Sequence, residues 1–427
     1  MNFIKRAVPV AIALAIAPAY GAPASGVAQT ASLGRALGNT TVFSYTASTM
    51  GASSTVNGSY FSGGVITTEA SGTVNGDFVA VGAANIGASA TITGSVWSGD
   101  VLTVGDTGKV KGSLFSSGAA TLGANGSLDG DMRSGGVVTV GATARVKGEV
   151  TGPATPVISA SSRDTAGRDA HIASAEEAIK SEAMTARFTA LTVAGGLRIT
   201  SAQQALMSLP TTTTLAATQV TNRTFTAGVY QAASWTTTAG ITLTLDAQHQ
   251  DNASFVFNFA DIFSTGASTK INLINAGANN SVIWNAYGGY AQLGASTDLI
   301  GTILANTYIE VGASSHVTGT DSSCGGVYSA TSYVHGGASA VIGGAGCNFN
   351  AKAFDTTPED ATPFDDHTPF DDTPVDNTPF DEPAAAVPEP ATYGLLLAGL
   401  ASIGVLARRR RGSAADREPQ EATLQAA

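Results

Sequence analysis

Apolar positions along this chain recur at one long interval and one short one. The triplets Val56-Asn57-Gly58, Val74-Asn75-Gly76, Ile92-Thr93-Gly94, Val110-Lys111-Gly112, Leu128-Asp129-Gly130 and Val146-Lys147-Gly148 have opening positions that are 18 apart every time. Four residues after each opening comes another apolar side chain: Tyr60, Phe78, Val96, Leu114, Met132 and Val150. A third stretch alternates, with Ile66, Ala84, Leu102, Ala120 and Val138 facing the same way as the residue two further on, and Gly87, Gly105, Gly123 and Gly141 following in four of the units. Alternation with period two marks strands, and self-similarity at a fixed interval marks stacked coils. The pattern predicts a mainly β fold, a triangular β-helix (β-solenoid) of 18-residue rungs with glycines where the chain turns its corners. At about 4.8 Å per rung, six rungs make a rod roughly 29 Å tall.

The unit returns later, where Leu293-Gly294-Ala295 and Val311-Gly312-Ala313 are again 18 apart. Between the two solenoidal stretches, residues 169–191 are rich in Ala, Glu and Lys, with Ile172, Ala175, Ile179, Ala183 and Phe188 near one helical face. This predicts one long α-helix packed alongside the rod. The organisation expected is N-terminal rungs over 25–160, helix and connector over 161–210, and a second solenoid over 211–350.

The two ends read as addresses. Residues 1–24 carry Lys5 and Arg6, an apolar stretch and small residues around Ala22-Pro23-Ala24, the layout of a Sec-type signal peptide. Residues 351–386 are a Thr-Pro-rich spacer in which Asp355 to Glu382 holds ten acids and no Lys or Arg. Like charges and frequent proline predict an extended linker. Then come Pro388, Glu389 and Pro390, an apolar stretch 391–407 at the short limit for a transmembrane helix, the cluster Arg408, Arg409, Arg410 and Arg411, and a tail over 412–427 expected in the cytoplasm.

Composition narrows the function. The formal net charge is −11, and with the acidic linker set aside the rest is close to neutral, so no basic surface exists for nucleic acid. Asp77 and Asp131 lie three rungs apart with Ser95 and Ser113 between, which makes no catalytic pair. The five histidines, His171, His249, His316, His335 and His367, show no ligand spacing. We read no enzyme, no metal site and no cofactor here. Cys324 and Cys347, both in the exported part, are positioned for a disulfide, with two free thiols as the alternative.

Two resemblances add to this reading. The order Pro-Glu-Pro, apolar helix and arginine cluster over 387–411 resembles the PEP-CTERM sorting signal, which implies cleavage by an exosortase after a transient stay in the inner membrane, and release to the cell surface or beyond. The series Thr224-Phe225-Thr226-Ala227-Gly228-Val229-Tyr230, Leu243-Thr244-Leu245-Asp246, Ala253-Ser254-Phe255-Val256-Phe257, Asn280-Ser281-Val282-Ile283-Trp284 and Gly301-Thr302-Ile303-Leu304-Ala305 resembles the microbial ice-binding (antifreeze) family. That resemblance implies a β-solenoid with a helix beside it and contact with ice or ordered water. The regular N-terminal rungs are also similar to bactofilins, in geometry.

If the alternating stretch points inward as stated, its intervening residues point out in pairs: Val65 and Thr67, Ala83 and Asn85, Val101 and Thr103, Ala119 and Thr121, Val137 and Thr139. They would form a flat face with one column of small apolar groups and one of mostly hydroxyls, a surface able to order water into a lattice. The plainer reading is that Thr is a good surface strand former. Thr242 and Thr244 form a second candidate face, and in later rungs Tyr290, Gln292, Tyr308 and Glu310 break the column. Two functions compete: ice binding or inhibition of ice recrystallisation, and a matrix or adhesion role in binding exopolysaccharide or other copies of the chain.

Overall fold

The computed structural model describes residues 40–153, 157–158, 170–172, 175–320 and 324–344. The expected signal peptide, acidic linker, sorting signal and C-terminal tail lie outside them, as does Cys347.

Three parallel sheets of 14, 13 and 12 strands form the sides of the solenoid. The repeat seen in the sequence appears directly as register on all three: Val96 opposite Leu114 on sheet 1, Leu102 opposite Ala120 on sheet 2, and Lys109 opposite Ser127 on sheet 3. The columns expected to face inward do so, with Ile66, Ala84, Leu102, Ala120 and Val138 wholly buried. Parallel strands cannot be joined by hairpins, and a coil that visits the three sides in turn supplies the crossover.

Successive strands do not run from one end of the rod to the other. The chain enters at mid-rod with Thr40–Ser44, Ser48–Met50 and Thr55–Asn57, and climbs rung by rung to Val157–Ile158 and Ala170–Ile172. Helix α1 (Ala175–Met207) then returns along the outside to the opposite end. From there the second half climbs from Thr213–Thr214 back to the middle and closes against the first strands, Val42 opposite Val327, Ser48 opposite Val334 and Thr55 opposite Val341. At 1.5 Å per residue the 33 residues of α1 cover about 50 Å, or about ten rungs. A connection that long is what two stacked half-solenoids require when the second starts at the far end.

Sheet 1 carries α1 and is therefore buried on both faces over its middle strands. Its outward residues Phe43, Phe61, Val79 and Trp97 in the first half, and Val256, Ile283, Leu304 and Tyr328 in the second, pack with Phe188, Ile199, Ala202 and Leu206 of the helix. Helix and sheet approach closely at the seam, where a Cβ on Gly195 would lie 2.5 Å from the Phe43 ring. Two stacked asparagines fasten the C-terminal turn of α1: Asn258 Nδ2 donates to the Leu206 carbonyl at 2.8 Å and Asn285 Nδ2 to the Gln203 carbonyl at 3.2 Å. A backbone carbonyl near the helix end thereby finds a partner under cover. Rungs in the middle of the second half are larger, with Ser254 opposite Ser281 and Phe263 opposite Ala291, and stacked Trp235, Phe257, Phe263 and Trp284 fill the wider interior.

The corners are built differently from the glycine turns expected. None of Gly87, Gly105, Gly123 or Gly141 has positive φ; at this corner of the first-half rungs the left-handed residues are Ser53, Ser71, Ser89, Thr107, Asn125 and Thr143, at φ of 56–60°. The glycines serve close approach instead. A Cβ on Gly87 would lie 2.4 Å from the Glu69 carbonyl carbon, and one on Gly141 would lie 2.7 Å from the Ala124 nitrogen.

Candidate functional site

With α1 over sheet 1, sheets 2 and 3 are the open sides. On sheet 2 the central outward column runs in register through Thr49, Thr67, Asn85, Thr103, Thr121, Thr139 and Val157. Two residues before each of Thr49 to Thr139 stand Ala47, Val65, Ala83, Val101, Ala119 and Val137. Their carbonyls from Val65 to Val137 accept ladder hydrogen bonds of 2.8–3.0 Å from the rung before. Backbone polarity is thus spent within the sheet, and what faces outward is methyl and hydroxyl. Val65, Val101, Val137 and Val157 are 41%, 40%, 53% and 59% exposed, so the plane presents apolar side chains to its surroundings. No charged side chain occurs in either column from Ala47 to Thr139.

All ten residues expected on this face are therefore on one side of the rod. Sequence reasoning missed the Ala47–Thr49 rung and Val157. The first was legible, since Ala47-Ser48-Thr49-Met50 stands one full repeat before Val65-Ile66-Thr67-Thr68.

The plane ends at the seam. Across it the central column continues as His335, Glu310, Gln292, Ser264 and Thr236. Tyr333, Tyr308 and Tyr290 take the places of the alanines and valines and stack on one another. Tyr333 donates to Glu310 Oε1 at 3.1 Å, and Gln292 donates to Glu310 Oε2 at 2.9 Å. Burial first, then neighbouring phenols and Glu310, push the Tyr308 hydroxyl up to about 12. Burial and the hydrogen bond to Glu310 raise Tyr333 as well.

Thr242 and Thr244 lie on sheet 3, opposite Lys270 and Asn272, so no further hydroxyl column continues from them toward the seam. Elsewhere sheet 3 carries charged side chains, including Lys147 paired with Asp129 at 2.8 Å and Asp298, which lies 2.7 Å from His316 Nδ1. Asp77 and Asp131 are structural: Ser95 N–H donates to Asp77, Ser113 N–H to Ser95 Oγ, Asp131 N–H to Ser113 Oγ, and Glu149 N–H to Asp131. Among the described residues no group of three His, Cys, Asp or Glu could hold a metal ion. Cys324 is disulfide-bonded and sits 3.4 Å from Thr41 Oγ1 at the seam. No helix of the described residues is long and apolar enough to cross a membrane; the apolar stretch 391–407 is not among them.

Fold and surface together define a three-sided parallel β-solenoid with a helix along one side and an uncharged plane on another. Residues 132–335 match the family model described as Ice-binding-like, and residues 386–411 match the PEP-CTERM protein-sorting motif. The domain match takes in α1 and nearly all of the second half, with Val137, Thr139, Thr242 and Thr244; the rungs from Val65 to Thr121 precede it. Similar solved structures include an ice-binding protein of the Antarctic ascomycete Antarctomyces psychrotrophicus, at 23% identity over 52% of this chain and 92% of that one, TM-score 0.30. A glycosylated ice-binding protein from an Arctic yeast is 17% identical over 50% and 88%, TM-score 0.30. One from an Antarctic bacterium, Flavobacteriaceae, is 18% identical over 70% and 80%, TM-score 0.27. No curated protein sequence matches the chain.

Proposed function

We propose that this chain is an exported protein that binds ice through the first-half plane of sheet 2, and acts by antifreeze activity or by restraining recrystallisation. The observation that carries the reading is the run of six paired rungs, Ala47/Thr49 to Val137/Thr139, in unbroken register and without charge. Columns about 4.8 Å apart along the rod and about 6.7 Å across it present methyls and hydroxyls at fixed sites. Methyls favour caged water over their surface, and hydroxyls anchor the cages by hydrogen bonds. Because the ladder holds every strand rigid, little side-chain freedom is lost on contact. The family match over 132–335 supports contact with ice in general; of the plane itself it takes in Val137 and Thr139. It also supports binding rather than catalysis.

Export by a Sec-type signal peptide, a transient inner-membrane anchor and exosortase processing near Pro388 to Pro390 belong to the proposal, supported by the sorting-motif match.

The test is an ice-recrystallisation assay on the purified protein with Thr103→Lys and Thr121→Lys. A lysine plants a strongly hydrated charge that stands proud of the plane. We expect each to reduce inhibition at least about tenfold, and the pair to abolish it. Unchanged inhibition by the double variant removes this face from consideration.

A further inference from the structure

The tyrosine column beyond the seam is not needed for stacking rungs. The same outward position on the same sheet holds Ala47, Val65, Ala83, Val101, Ala119 and Val137 in the first half, with the same strand pairing. Tyr290 and Tyr308 stack at 4.5 Å with ring planes 11° apart, and Tyr308 and Tyr333 at 5.1 Å and 4°. Those separations match the spacing of strands, so the rings lie across the rod axis. Tyr308 is covered on both faces. Tyr333 ends the stack.

One face of Tyr333 lies on Tyr308, and the next residue in its column on the other side is the exposed Ala47. A phenol ring outreaches a methyl group, so the second face of Tyr333 forms a wall at the seam. In front of the wall is a floor made by Ala47, Thr49, Val65 and Thr67, with His335 beside it in the central column. The ring is held by its stack on Tyr308, and its hydroxyl donates to Glu310, itself tied by Gln292. The place combines a fixed aromatic face with hydroxyls set at right angles to it. A pyranose is complementary to that pairing: its C–H face is apolar and its rim carries hydroxyls that donate and accept. Charge narrows the class. Glu310 gives this step a negative charge, and neither outward column of sheet 2 between Ser234 and Thr139 contains Lys or Arg, so anionic sugars are disfavoured.

We propose that the step at Tyr333 is a binding site for a neutral pyranose unit, stacked on the free face of Tyr333 and hydrogen-bonded to the threonine floor. This site takes in the first two rungs of the plane assigned to ice but does not depend on that assignment.

The experiment is calorimetric titration of the full chain with cellohexaose and with maltohexaose as neutral probes, and with hexagalacturonate as the anionic one. We expect saturable binding of at least one neutral hexasaccharide and weaker binding of the anionic one. Tyr333→Ala should weaken it about tenfold, the scale of a single aromatic stacking contact. Tyr333→Phe keeps the face and should retain most of the affinity, which separates stacking from any loss of local structure. Thr103→Lys should leave sugar binding unchanged while ice activity falls, so the two readings fail separately. Absence of binding to both neutral probes, equal binding by Tyr333→Ala, or preference for hexagalacturonate each overturns the proposal.

Discussion

At the scale of single residues, the rod depends on where a Cβ is allowed and where it is not. Gly87 leaves no space for one, while Ser71, at the corresponding corner of the rung before, bears a side chain in the left-handed region at φ 60°. Its N–H donates to the Ala88 carbonyl of the next rung at 2.8 Å, and that ladder bond holds the conformation against its intrinsic cost. Gly87→Ala should therefore lower unfolding free energy by about 1–3 kcal/mol, since the added carbon must push the neighbouring backbone away. Ser71→Gly should leave stability unchanged or raise it by up to about 1 kcal/mol, the released strain being offset in part by glycine's entropy. Chemical denaturation of both variants checks the contrast, and the reverse ordering would mean that the corners turn by glycine after all. The repeat made these glycines visible in the sequence. Their purpose was not visible, because steric exclusion comes from the rung stacked alongside.

At the scale of elements, α1 is held by what its apolar side meets. Phe188 stands 6.5 Å from the Phe61 ring and 6.3 Å from Trp97, ring centre to ring centre, and is buried. Phe188→Ala should cost about 3–5 kcal/mol, the usual range for emptying a buried phenylalanine site. Thermal melting followed by tryptophan fluorescence reads it, with Trp97 as the local reporter. A loss under about 1 kcal/mol would mean that the helix is only loosely applied to sheet 1. A helix with Phe188 on it was legible from periodicity, but its bounds were not: Ile172, expected on the helical face, lies in the strand Ala170–Ile172, and the helix runs from Ala175 past 191 to Met207, because strand pairing at the end of the stack and packing along sheet 1 set its limits. Which of three sides it covers was not legible either, because the outward residues of sheet 1, such as Phe61 and Trp97, become distinctive only once the three sides are known.

For the whole molecule the decisive feature is the seam, where strands from the two ends of the described chain pair. Two buried tyrosines stand there: Tyr60, donating to Ser48 Oγ, and Tyr328, donating to the Thr40 carbonyl. Burial raises both hydroxyls well above the usual phenol value of 10. The unfolded chain can ionise them near pH 10 and the folded chain cannot, so their stabilising effect is complete below that pH and is lost as pH rises beyond it. Stability should fall steeply above about pH 10, with both halves melting in one transition. Tyr328→Phe should flatten that fall while lowering stability at neutral pH. Circular dichroism melts between pH 8 and 11.5 would show this, and a slope untouched by Tyr328→Phe would place the alkaline sensitivity elsewhere.

The amino-acid order alone determined the rung, its inward and outward columns, and the chemistry of the outward pairs from Val65 to Thr139, because an 18-residue repeat constrains each residue by its own near neighbours. It also marked Tyr290, Gln292, Tyr308 and Glu310 as interrupting the threonine column. Only the tertiary structure decided that the two solenoidal halves form one stack joined at Thr40–Ser44 and Gly326–Ser329, that α1 takes sheet 1 out of contention, and that the uncharged plane stops at a wall of tyrosine. Those outcomes rest on pairings between strands from opposite ends of the described chain, such as Val42 with Val327, and no local periodicity encodes which open edge a distant edge will close.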